Sequence, residues 1–203
     1  MPQHKIFYAR KLPHIQPLEE TFFITYRLVD SIPMCRIKEW NEITNQRKKI
    51  AKTQTGKYNE QKRHFGLIDN YLDKSANEPY WLKQDAIATI VADSLQFYAE
   101  KFYKLWSYCI MPNHVHLVIT TLKDAPPLYT ILQKHKRHTA KGCNKVLNRT
   151  GKFWTHESYD HIVRSNDEFN RIVFYTIYNP VKAGFVKKWQ KWKWTYINPE
   201  LGF

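Results

Sequence analysis

Ile110-Met111-Pro112-Asn113-His114-Val115-His116-Leu117-Val118-Ile119 is an apolar run broken by Pro112-Asn113 and by two histidines one residue apart, and preceded by the aromatic-rich segment that begins at Phe102. A proline followed by asparagine marks a turn between extended segments. Phe102 to Ile110 and His114 to Thr120 therefore read as the two arms of a β-hairpin. In the second arm, alternation sends Val115, Leu117 and Ile119 into a core and places His114 and His116 together on the other, exposed face. Two imidazoles on one strand face can chelate one cation. Two polar residues on a solvated face is the plainer reading, and H-x-H spacing alone does not decide between them.

Working outward, Thr21-Phe22-Phe23-Ile24-Thr25-Tyr26-Arg27-Leu28 is rich in β-branched and aromatic residues and reads as an interior first strand. Ile87, Ile90, Val91, Ser94 and Leu95 follow the spacing of a core-facing helix that starts near Asp85. Pro127 opens another helix, with Leu128, Ile131, Leu132, Thr139, Cys143 and Val146 on its core side. His161-Ile162-Val163-Arg164 is a short strand. Ser165 and Glu168 form a capping box that starts a last helix, whose buried stripe is Phe169, Ile172, Val173 and Thr176 and which Pro180 ends. This order of elements resembles a ferredoxin-like α+β fold: an antiparallel sheet with helices on one face.

Residues 1–203 read as one domain with two decorations. The first, 36–74, is a basic helical insertion after the first strand. It carries Arg47, Lys48, Lys49, Lys52, Lys57, Lys62 and Arg63, with Ile37, Trp40, Ile43 and Ile50 at roughly helical spacing and a mobile portion near Gly56. The second is a basic-aromatic tail over 185–203. Its tryptophans, interleaved with lysines over Lys187 to Trp194, are suited either to stacking on bases or to packing back on the core.

Thirty-two Lys and Arg against 18 Asp and Glu give a net charge of +14, which points to a polyanionic partner. Aromatics at 15% add stacking surfaces, a combination suited to single-stranded or unpaired nucleic acid. Lys134, Arg137, Lys141 and Lys145 form a basic stripe opposite the core side of their helix. Arg164, Lys182, Lys187 and Lys188 are further expected nucleic-acid contacts. Cys35, Cys109 and Cys143 are widely spaced, so neither a disulfide framework nor a cysteine zinc site is indicated. No run approaches the roughly 18 apolar residues of a membrane span, and the expectation is a soluble, cytoplasmic, nucleoid-associated protein.

On the last helix, Tyr175 and Asn179 are four residues apart and share a flank that can look toward the sheet, whereas Tyr178 falls on the opposite side. A tyrosine hydroxyl can attack a phosphodiester and hold the chain as a phosphotyrosine, given a cation that stabilises the charge on the phosphate. Met111-Pro112-Asn113-His114-Val115-His116-Leu117-Val118 together with Tyr175-Thr176-Ile177-Tyr178-Asn179-Pro180-Val181-Lys182-Ala183-Gly184 resembles the REP-associated tyrosine transposases, a branch of the single-tyrosine HUH transposases. Blocks at Arg10–His14, Phe22–Leu28, Val91–Leu95 and Trp154–Arg164 follow in the same order.

The resemblance implies a metal-dependent endonuclease and strand transferase acting on single-stranded or hairpin DNA, as a monomer or homodimer and without a membrane partner. His114 and His116 would be metal ligands, Tyr175 the nucleophile and Asn179 the third protein ligand. Mg²⁺ or Mn²⁺ would be the cofactor, bound firmly only once phosphate oxygens complete its shell. Tyr159 is a rival nucleophile read as structural, with Asp160 and His161 as residues that could orient the site. Two other classes fit parts of the pattern. One is a non-cutting hairpin DNA- or RNA-binding protein, for which the basic stripe and tail suffice; the other is an RNA-processing enzyme using histidine as general acid or base.

Overall fold

The computed structural model describes residues 7–9, 13–51, 53–74 and 79–202. Arg10, Lys11 and Leu12 of the first matching block, and Lys52 of the insertion, lie outside them. A small ribbon, β1 (Phe7–Ala9) with β2 (Pro13–Ile15), precedes the main sheet. The chain then runs through β3 (Thr21–Arg27), α1 (Met34–Ile50), α2 (Gln54–Lys74), α3 (Asp85–Tyr98), β4 (Tyr103–Ile110), β5 (His114–Thr121), α4 (Leu128–Val146), β6 (Tyr159–Ile162), α5 (Asn166–Lys182) and β7 (Thr195–Ile197). The sheet order is β6-β3-β5-β4-β7, antiparallel throughout. Without β7 this is the ferredoxin-like arrangement, in which β3-α3-β4 and β5-α4-β6 are the two halves.

Alternation along the strands divides the core into two layers. On one face Phe22, Ile24, Tyr26, Val115, Leu117 and Ile119 pack beneath α3 and α4, the two crossover helices. Their common side agrees with the expected placement of helices on one face. The opposite face, which that description leaves bare, is covered as well: Phe23 and Val118 pack against Val173 of α5 and Phe65 of α2. The histidines of β5 lie on this second face.

Several local expectations are corrected. Strand β6 begins at Tyr159, not His161, because Tyr159 pairs with Thr25 and its ring stacks on Phe65 at 4.1 Å. Val146 is half exposed; Cys143 is the last α4 side chain to reach the sheet layer. Pro180 does not end α5, which continues to Lys182. A proline near a helix end forfeits a single bond, to the carbonyl four residues back. The stop comes at Gly184 (φ 79°), where Phe185 N–H donates to the Pro180 carbonyl and Gly184 N–H to that of Val181. This is a Schellman closure that requires a left-handed residue. Half of the capping box forms: Ser165 Oγ accepts the Glu168 N–H, while the Glu168 carboxylate reaches past Ser165 to the Arg164 N–H and His161. The tail packs back, with β7 on β4, Trp192 Nε1 donating to the Ile110 carbonyl and Trp194 Nε1 to Asp85.

One core polar group escaped the sequence reading. His135 of α4 is buried between the Tyr26 hydroxyl (2.8 Å) and Ser94 Oγ (2.9 Å). Ser94, polar on an otherwise apolar helix side, was the available hint of such a partner. Burial pushes the His135 imidazole down to about 3 from an ordinary 6.5. Between those values the unfolded chain binds a proton that the fold refuses, so His135 lowers stability as pH falls and costs nothing above about 6.5. Denaturant unfolding between pH 4 and 6 is expected to show a slope shallower by about 1.4 kcal/mol per pH unit in His135→Gln, whose amide can keep both hydrogen bonds without titrating. An unchanged slope would show that His135 takes up its proton without unfolding.

Candidate metal and nucleophile site

His114 and His116 share a face, as alternation requires, but that face is not exposed: both are wholly buried beneath α2 and α5. Asn113 fixes the first ring. Its Nδ2 donates to the Leu72 carbonyl (3.1 Å), leaving Oδ1 to accept from His114 Nδ1 (2.7 Å). The neutral imidazole therefore carries its proton on Nδ1 and presents a bare lone pair at Nε2. His116 Nδ1 meets Thr25 Oγ1 at 2.8 Å, and a hydroxyl supports either tautomer because it both donates and accepts. The two Nε2 atoms stand 3.0 Å apart. Burial holds both rings neutral, His114 far below its ordinary range and His116 at about 4.

Helix α2, expected only to carry basic charge, lays one stripe across this face. Tyr58 OH bonds His161 Nδ1 (2.5 Å), Lys62 pairs with Glu168 (3.6 Å), Phe65 packs on Phe23, and Asp69 and Asp73 reach the histidines. Asp69 Oδ1 is 3.3 Å from His116 Nε2, and Asp73 Oδ1 is 3.8 Å from His114 Nε2. One ligand atom each from Asp69, His114 and His116 lies within 4.8 Å of the others, a grouping that can hold a metal ion. Sequence reading missed both aspartates. Their signal was two carboxylates one helical turn apart, beside Leu72, within a lysine-rich stretch.

Helix α5 supplies Tyr175, Asn179 and Lys182 at i, i+4 and i+7, hence on one side. The Tyr175 hydroxyl donates to Asp69 Oδ2, and its ring lies 5.6 Å from that of His116. Lys182 Nζ sits 2.8 Å from Asp73 Oδ2, 3.1 Å from Asp69 Oδ2 and 3.4 Å from the Tyr175 oxygen. Asn179 is fully buried, and neither of its amide atoms has a hydrogen-bonding partner among the described residues. Burial and the adjoining Asp69 carboxylate push the Tyr175 phenol well above its ordinary range, an effect that nearby Asn179 opposes. Burial alone would raise Asp69 too, but the cluster around it, including the Tyr175 hydroxyl and the Lys182 ammonium, holds the carboxyl low. Asp73, buried and beside Asp69, is raised to about 6 despite Lys182.

The other tyrosines do not converge here. Tyr159 packs between Phe65 and Phe23, and Tyr178 is exposed against Phe174. His161 ties α2 to the start of α5, which makes it an anchor of the insertion. Lys134, Arg137, Lys141 and Lys145 are exposed on α4, in the layer across the sheet from the histidines, so stripe and site are not brought together. Arg137, with Lys136 and Lys152, lines a groove of about 290 Å³ between α4 and the segment leading into β6. Arg164 lies over the Tyr58 ring, and Lys187 and Lys188 are exposed after Gly184. No described helix is long and apolar enough to cross a membrane.

Fold and site together define a class: a ferredoxin-like antiparallel-sheet protein in which a strand-borne histidine pair meets a helix-borne tyrosine. The chain is similar, in sequence and in fold, to the REP-associated tyrosine transposases. A curated Haemophilus influenzae protein bearing that name is 25% identical over 102 residues, 46% of this chain and 58% of the relative. The match thus spans less than two thirds of the relative's length. The fold matches a solved REP-associated tyrosine transposase bound to a REP hairpin with a TM-score of 0.51 at 14% identity, over 96% of this chain and 84% of that one. No protein-family model matches the chain.

Proposed function

We propose that this protein is a metal-dependent single-strand DNA endonuclease and strand transferase that binds DNA hairpins and cuts through a 5′-phosphotyrosine intermediate. The observation that carries this reading is the placement of the Tyr175 hydroxyl against a carboxylate that also faces the histidine pair. Tyr175 Oη would form the bond to phosphorus while the P–O3′ bond breaks. The phenolic proton passes to Asp69 Oδ2, its existing acceptor, and the departing oxygen becomes a free 3′-hydroxyl once protonated. That hydroxyl can later attack the phosphotyrosine and rejoin the strand.

Lys182, 39% exposed at the rim, exchanges its aspartate partners for the incoming phosphate. The donor set fits a cation, since His114 offers a lone pair fixed by Asn113 and Asn179 has unpaired buried amide atoms. Imidazole, amide and carboxylate donors suit Mn²⁺ or Mg²⁺, which supplies Lewis-acid stabilisation of phosphate charge. The α4 stripe, Arg164, Lys187 and Lys188 hold the hairpin backbone. This reading places the protein at the nucleoid, as a monomer or a homodimer.

Incubation with Mn²⁺ and a labelled hairpin oligonucleotide is expected to leave a protein–DNA adduct that survives denaturing electrophoresis and is lost on chelation. Tight hairpin binding with no adduct under any divalent ion would instead establish a non-cutting binder. Cleavage that persists in chelator without an adduct would point to metal-free acid–base chemistry.

A further inference from the structure

The insertion has the position of a catalytic element. Its helix α2 is anchored at one end by Tyr58 to His161 and, further along, brings Asp69 beneath Tyr175. The two oxygens of that carboxylate face different partners. Oδ2 takes the Tyr175 hydroxyl and Lys182, while Oδ1, buried and without a hydrogen bond among the described residues, is 3.3 Å from His116 Nε2. A wholly buried carboxylate oxygen left unpaired is costly unless something cationic completes it. The amide of buried Asn179 is likewise unpaired among the described residues, and the Nε2 atoms of His114 and His116 face each other at 3.0 Å, close enough to be drawn onto one ion.

The geometry points to Asp69 as a ligand, through Oδ1, of the divalent cation held by His114 and His116, with Oδ2 linking that centre to the Tyr175 hydroxyl. The inference rests on the metal reading of the histidine pair and extends it. A histidine pair with a neutral amide would hold a hard cation weakly until phosphate arrives, whereas a buried carboxylate adds a full negative charge and a hard oxygen. The cation therefore binds before DNA does, and a chain lacking α2 would lack a ligand as well as basic charge.

The test is Mn²⁺ titration of the DNA-free protein, read by the electron paramagnetic resonance signal of the free ion. Asp69→Asn is expected to weaken binding by at least the roughly tenfold to hundredfold that even changes outside the ligand set produce. Tyr178→Phe, exposed against Phe174 and away from the histidines, should bind Mn²⁺ as the parent does. A variant-independent readout is the infrared difference spectrum of the parent with and without Mn²⁺, which should show a carboxylate stretch shift. Asp69→Asn binding within twofold of the parent, or no carboxylate shift, overturns the inference. If His116→Ala loses Mn²⁺ while Asp69→Asn keeps it, only the role of Asp69 fails. If the parent binds none, or His116→Ala binds as the parent does, the metal reading of the histidines falls too.

Discussion

Tyr175→Phe is expected to abolish the covalent protein–DNA adduct, by roughly three orders of magnitude or more, while leaving hairpin binding intact. The substitution removes one oxygen. The ring keeps its edge contacts with Phe23 (5.9 Å) and His116 (5.6 Å), so packing on the second sheet face is retained. Asp69 loses its hydroxyl donor but keeps Lys182 at 3.1 Å, which limits the cost of the vacated acceptor. The α4 lysines proposed to hold DNA lie across the sheet and are untouched. Tyr159→Phe and Tyr178→Phe should retain the adduct, since neither hydroxyl faces the histidines. An adduct that survives in Tyr175→Phe and disappears in Tyr159→Phe would reassign the nucleophile.

Lys182→Met is expected to destabilise the metal-free fold by about 2–3 kcal/mol at pH 8. Removing one partner of a buried charge network strands the others, and the 39% exposure of Lys182 keeps the loss at the lower end. What remains is two carboxylates, Asp69 and Asp73, buried near one another and facing neutral imidazoles. The pH dependence follows from Asp73, whose carboxyl is raised to about 6 from 3.8 even with Lys182 present. The fold favours its protonated form, so stability is greater at low pH and is lost as pH rises through the folded value. Urea unfolding should therefore show a large difference between variant and parent at pH 8 and a smaller one at pH 5. Equal differences at both would mean that Lys182 contributes packing but no compensating charge. Saturating Mn²⁺ should restore part of the loss, because a ligand bound only by the folded state stabilises it.

Much of this fold was readable because its signals are local. The period-two alternation of Val115, Leu117 and Ile119 against His114 and His116 is a property of an extended chain whatever covers it. The i, i+3, i+4 pattern of α3 and the Ser165 cap of α5 work in the same way. Tyr175, Asn179 and Lys182 could be placed on one helix side for the same reason. The misreadings came where a neighbour decides. Pro180 is tolerated inside α5 because Gly184 provides the stop, and Tyr159 joins β6 because Phe65 of α2 covers it. The tail tryptophans turn inward because the Ile110 carbonyl and Asp85 accept their indole N–H groups.

The candidate site divides along the same line. Sequence by itself determined that two histidines share a strand face, that a tyrosine and an asparagine share a helix flank, and that the chain carries the charge of a nucleic-acid binder. Only the tertiary structure decided that the histidines are buried, that the α4 stripe lies across the sheet from them, and that Asp69 and Asp73 of the insertion meet Lys182 and Tyr175. Residue periodicity states which way a side chain points relative to its own backbone. It carries nothing about a helix more than forty residues earlier in the chain, whose approach is set by long-range packing of Phe65 on Phe23 and the bond of Tyr58 to His161.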